Sequence, residues 1–308
     1  MSARVISRAR AAAAPLAVSL ALASTGCCRI IDELEEGGGR YRDPGPSAPA
    51  QELGLAAYPA GTPAARATNH TWLASRLKPS TYRLRYALSA TEASAVDDDL
   101  QGFARKVGYR PDGKDRFRWR PPAGCGGSIA CVYQAIAARS AADVQPITAR
   151  FRARAREARL SSLDLAQLVV TFVQAIPYEI PEKEPFGVLP PALVASRRKG
   201  DCDSKALLAH MILHDLGVES MMVGSSAHHH EMLGIALPAQ GKKFTYAGRD
   251  YAYTEMTAKG SPIGHINPRL LAPNDWTPMP LKMPRASTPE PDKPAPSQKR
   301  PQKKKRTR

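Results

Sequence analysis

The chain contains no glycine-rich phosphate loop, no dinucleotide-binding fingerprint and no nucleic-acid module among its 308 residues. Nucleotide-driven chemistry is therefore not the reading to begin from. Metal patterns are missing too. Neither Cys-x-x-Cys nor His-Glu-x-x-His occurs, and no dense Asp/Asn loop of the EF-hand kind is present. There are no internal repeats. The run from Ala11 to Gly26 is too short and too rich in alanine for a membrane span. Cysteine is sparse, with five residues in all, so a dense disulfide scaffold is excluded.

What is present at the N-terminus is Arg4, Arg8 and Arg10 ahead of that apolar run, the pattern of an export signal over residues 1–26. Leu22-Ala-Ser-Thr-Gly26-Cys27 resembles the bacterial lipobox, which implies cleavage before Cys27 and lipidation of that residue. The aspartate that marks inner-membrane retention in enteric bacteria is absent after it. The expected location is the cell envelope, facing the periplasm and anchored preferentially to the outer membrane. Cysteine usage agrees with an oxidising compartment: Cys125 and Cys131 can close a small loop as a disulfide, which leaves Cys28 and Cys202.

The formal charge of +16 is mostly terminal, with +3 in the signal and +8 in residues 293–308. A Pro/Lys-rich tail over 276–308 has too little apolar content to order itself, and could touch anionic envelope polymers or lipid head groups. An exported protein rarely meets nucleic acid, so none is expected. Residues 27–68, rich in Gly, Pro and Ala, read as a disordered tether. Residues 70–145 read as a small β-rich region, since Thr81–Leu88 and Arg116–Arg120 alternate. The main domain is expected over 146–275. Its first clear helix carries Leu165, Leu168, Val169, Phe172, Val173 and Ile176 on one face, opened by Ser161…Asp164 and ended by Pro177.

The chemistry centres on Gly200-Asp-Cys-Asp-Ser-Lys-Ala206, followed by an apolar run to Leu216. The spacing predicts a helix buried on one wide face, closed by Gly217, with Asp201 or Asp203 as N-cap. Cys202 then sits in the first turn, where the helix dipole favours a thiolate. Downstream, Val218–Gly224, the strand opened by His230, Phe244–Tyr246 and Tyr251–Thr257 read as an antiparallel meander, with Tyr251, Tyr253 and Glu255 on one face. A thiol, an imidazole and a carboxylate in that order are the parts of a Cys–His–acid triad. His228 and His230 could instead share a face and bind zinc, but no ligand pattern supports it. His210 and His214 are spaced i, i+4, yet Met211 stands where a zincin needs Glu; they read as surface or packing residues. Gln174 is either an oxyanion donor or a polar support beside its helix's apolar face.

Gly-Asp-Cys-Asp-Ser-Lys-Ala-Leu-Leu, His-Glu-Met-Leu-Gly-Ile and Tyr-Ala-Tyr-Thr-Glu-Met-Thr-Ala resemble the core of bacterial transglutaminase-like cysteine proteins over about residues 150–270. Phe172–Tyr178 and Phe186–Pro191 are similar to the segment preceding the cysteine in that superfamily. The resemblance implies an α+β fold with a transglutaminase/papain-like core, the cysteine helix packed on an antiparallel sheet. It assigns Cys202 as nucleophile, His230 as general base and Glu255 as the orienting acid, where animal transglutaminases have aspartate. The implied activity is thiol-mediated acyl transfer on a protein or peptide amide, chiefly proteolysis or amide hydrolysis and otherwise cross-linking, with no cofactor. The competing expectation is a catalytically silent binding module of the same fold, acting as an envelope scaffold.

Overall fold

The computed structural model describes residues 20–21, 49–113 and 116–283. Thr81–Leu88 is a strand, β4, because its sequence alternates: Tyr82, Leu84 and Tyr86 turn inward while Arg83 and Arg85 stay half-exposed. It is the middle strand of three. β3 (Thr68–Leu73) pairs with it antiparallel, and β2 (Gln51–Tyr58) pairs with it parallel. The tether expected to reach residue 68 therefore contains the whole of β2 and ends on the first residue of β3. Leu53, Ala56, His70 and Trp72 are buried in them, so apolar residues spaced among Gly, Pro and Ala suffice once a partner strand is supplied.

The region expected to be β-rich up to residue 145 also needs correction. Ala90–Lys106 is a helix, α1, capped by Ser89 accepting from the Glu92 amide and buried through Leu100, Phe103 and Ala104. The second alternating stretch gives only Arg116–Arg118 (β6), paired with two-residue strands at Leu20–Ala21 (β1) and Arg110–Pro111 (β5). α2 runs from Ala130 to Ala158, so a domain boundary at 145/146 would cut it near its middle. Its first turn holds the Cys125–Cys131 disulfide, with Cα atoms 5.9 Å apart. α2 packs on β2 and on the cysteine helix alike, and one apolar core runs continuously from Leu53 to Met279.

α3 (Ser162–Gln174) starts at Ser161, whose hydroxyl accepts from the Asp164 amide at 3.1 Å. α4 (Pro191–Arg197) follows the proline-rich loop, and α5 (Cys202–Asp215) is the cysteine helix. α5 is buried on all sides from Cys202 to Leu213, rather than on one wide face, because α2, α3 and α4 surround it and the sheet closes the remaining side. That sheet has five antiparallel strands in the order β11-β7-β8-β10-β9: β7 (Ser220–Ser225), β8 (His230–Ile235), β9 (Lys243–Tyr246), β10 (Arg249–Thr254) and β11 (Thr277–Met279). It departs from a plain meander. β10 lies between β8 and β9, and β11, drawn from the segment expected to begin the tail, pairs with β7. The architecture is mixed α+β.

The two sheet faces bury different residues. Met222, Leu233, Ile235 and Ala252 join the core around α5. Met221, Val223, Met232, Tyr251 and Tyr253 form a second cluster, covered by Ile266, Leu270 and Trp276. Among the described residues no helix is long and apolar enough to cross a membrane.

Candidate functional site

The site lies where α5 begins, β8 begins and β10 ends. Asp201 caps α5, its carboxylate accepting from the Ser204 amide at 3.2 Å. Cys202 is thereby the first helical residue, buried, and it carries a thiol while Cys125 and Cys131 are bonded to each other. The N-terminal end of a helix favours negative charge on a sulfur placed there.

His230 is the first residue of β8 and Glu255 directly follows β10. Both are almost wholly buried, and His230 Nε2 lies 2.7 Å from Glu255 Oε2. Continuing the register of β8 and β10, Glu255 stands opposite Met232 and reaches His230 along the diagonal. A diagonal pair is further apart than a directly opposed one, and the longer glutamate side chain spans it. The other carboxylate oxygen accepts from the Thr257 amide at 2.8 Å and the Thr257 hydroxyl at 2.6 Å. Burial pushes the Glu255 carboxyl upward, but the attraction of His230 and the hydrogen bonds from His230 and Thr257 outweigh it and hold the pKa at about 2. Glu255 is an anion throughout the physiological range. The ring proton it accepts lies on Nε2, which leaves Nδ1 as the nitrogen with a lone pair.

A tyrosine ties the helix start to the strand start. Tyr133, on α2, places its hydroxyl 3.3 Å from Asp203 Oδ2 and 3.5 Å from Glu231 Oε1, the residues that follow Cys202 and His230. Burial and the nearby carboxyls of Glu231 and Asp203 raise the Tyr133 phenol well above its ordinary pKa. Burial, with Asp201 and Glu231 as neighbours, likewise raises the Asp203 carboxyl well above the usual range, which favours the neutral acid. Trp276 closes the far side, with its ring centroid 6.2 Å from that of His230 in an edge contact. Its indole N–H donates to the Leu270 carbonyl at 2.7 Å.

Gln174 is buried, and its side chain belongs to the main chain around it. Nε2 donates to the carbonyls of Glu255 (2.8 Å) and Ser261 (2.9 Å), and Oε1 accepts from the Gly260 amide at 3.1 Å. Both amide hydrogens are committed, so Gln174 acts as a support and not as an oxyanion donor. His228 and His229 lie in the turn before β8, with His229 at φ 47°. His228 Nε2 approaches Asp275 Oδ2 at 3.2 Å, and its ring centroid lies 5.8 Å from that of Trp276, the same ring that His230 meets. His210 is buried against Ser220 (2.9 Å). Among the described residues no three His, Cys, Asp or Glu side chains are arranged to hold a metal ion. Cys27, the expected lipidation site, lies outside the described residues.

No family model, curated protein or solved structure matches this chain. The functional reading therefore stands on the residues and their geometry.

Thr257, Tyr133 and Trp276 escaped the sequence reading. Thr257 had a local signal, a hydroxyl two residues after a carboxylate. Tyr133 and Trp276 had none, because their partners are 70 or more and 46 residues away in the chain.

Proposed function

We propose that this protein is a transglutaminase-like cysteine enzyme that transfers the acyl group of a protein or peptide amide through a thioester on Cys202. The observation that carries the reading is the buried His230–Glu255 pair, anchored by Thr257, at the end of the sheet against which the Cys202 helix packs. Glu255 fixes the ring and its tautomer, and Nδ1 is the atom that takes the thiol proton. The thiolate then attacks the amide carbonyl, the protonated imidazole gives its proton to the leaving amine, and the acyl group stays on sulfur. Water completes a hydrolysis, and an incoming amine completes a cross-link. Hydrolysis is the outcome we favour, on the expectation from the lipobox-like segment before Cys27 that the protein is lipid-anchored in the envelope and meets envelope proteins there.

The test has two parts. Cys202 should react with iodoacetamide faster in the folded protein than in urea, and His230→Ala should remove that advantage. On a casein substrate supplied with a fluorescent primary amine, Cys202→Ala should abolish both peptide release and amine incorporation while the protein stays folded. A Cys202→Ala variant with undiminished turnover overturns the assignment. A folded wild-type protein whose sulfur is no more reactive than in urea favours the binding module.

A further inference from the structure

Lys205 lies on α5 one turn beyond Cys202, and its side chain is completely buried. Burying an ammonium is costly unless its protons find acceptors. Here Nζ donates to the carbonyls of Ile176 at 2.7 Å and Gln174 at 3.3 Å, at the C-terminal end of α3. Carbonyls there lack helical partners and carry the negative end of the helix dipole, so a cation fits. Gln174 in turn holds the Glu255 carbonyl with its side-chain amide. A continuous path of hydrogen bonds thus leads from the turn that carries Cys202, through α3, to the backbone of the residue that grips His230.

We propose that Lys205 is a positioning residue of this site, holding the Glu255 segment through Gln174 while its ammonium favours the ionised sulfur of Cys202. The proposal rests on the Cys–His–Glu reading above and adds to it a residue that touches neither substrate nor reacting atoms. The charged groups facing the ammonium are Glu255, Cys202 and Asp201, which favour its charge, and Lys259, which opposes it. Burial is the largest influence and brings the lysine's pKa down to about 7. The supporting charge is therefore present in mild acid and fades just above neutrality.

A lysine that only capped α3 would affect stability and nothing else, so the test reads the sulfur. The iodoacetamide labelling rate of Cys202 in the full chain is followed from pH 5 to 9 by mass spectrometry. Lys205→Met should move the labelling midpoint upward by about one pH unit, a roughly tenfold slower reaction below it. Lys205→Arg, which keeps the charge, should restore the midpoint even if its melting temperature is lower. A midpoint unchanged in Lys205→Met overturns the proposal. Should Lys205→Met fail to fold, the coupling is read in reverse, because linkage is reciprocal. The titration of the Lys205 side chain, followed by NMR of labelled lysine, should move to lower pH in Cys202→Ala, and an unmoved titration overturns the proposal. Failure of the enzyme reading looks different: Cys202 of the wild type then labels no faster than in urea at any pH.

Discussion

Glu255 shows how much one residue is asked to do. Its carboxylate is buried, and is anionic only because His230 and Thr257 donate to it. Glu255→Gln keeps the shape but offers an amide where the imidazole needs an acceptor. Turnover should fall by between about 10²- and 10⁴-fold with a much smaller change in KM, as for the loss of an orienting acid. Thr257→Val removes one of three hydrogen bonds and should cost less, about tenfold. Steady-state kinetics on both variants checks the order, and a larger loss in Thr257→Val would contradict it. The stability that Glu255 contributes follows from its depressed pKa. It is present above the unfolded value of 4.5 and is lost as the pH falls through about 2. The helix start at Cys202, the strand start at His230 and the pairing of His230 with Glu255 were legible in the sequence, because each residue stands in a local pattern of turn, strand or cap. Gln174 was legible only as a polar residue on a helix. Which main-chain atoms it meets depends on a loop more than 80 residues away.

Among the elements, those with a periodic or capped sequence were the readable ones. α3 and α5 start at the expected caps, and β4 alternates as expected. α1 and β2 were missed for physical reasons. α1 has an apolar stripe, but Ala93 and Val96 in its first half are small and only partly buried, three consecutive aspartates (Asp97 to Asp99) interrupt its middle, and full burial comes only at Leu100, Phe103 and Ala104. β2 has a glycine at φ 92° in a bulge, and it is made a strand by β4 rather than by its own pattern. Two element-level outcomes follow. At Gly224, opposite Glu231, an added Cβ would sit 2.6 Å from Glu231 Oε1. Gly224→Ala must displace that carboxylate from Tyr133, so activity should drop more than thermal stability does. Equal losses would show a packing defect alone. The Cys125–Cys131 disulfide closes a short loop ahead of the turn that carries Tyr133. In the chain-entropy description such a loop contributes about 2 kcal/mol. Denaturant unfolding of Cys125→Ala/Cys131→Ala should show that loss, and an unchanged midpoint would argue that the first turn of α2 is held by packing instead.

For the whole molecule, acid is the weak direction. His70 and His210 are buried, and burial lowers each pKa to about 4. Their unfolded forms bind protons below about 6.5 while the folded forms do not, so stability falls as the pH drops from there to about 4, by roughly 3 kcal/mol per histidine. Asp143, raised to about 6 by burial and then by Glu92 and Asp99, works in the opposite sense over part of that window. The melting temperature should decline between pH 6.5 and 4, and His70→Gln/His210→Gln should flatten the decline; an equally steep slope in the double variant would refute it. The parallel pairing of β2 with β4 has one more consequence, for the order in which the chain can assemble. Parallel neighbours cannot form a hairpin, and the helix that covers β2 begins only at Ala130. As the chain emerges, β2 leaves ahead of its sheet partners β3 and β4 yet waits about 70 residues for its covering helix. Its apolar side is exposed in the interval to any strand edge it meets. Vectorial synthesis thus leaves the first strand of this sheet unsheltered for an interval, and a holding chaperone would find a target there.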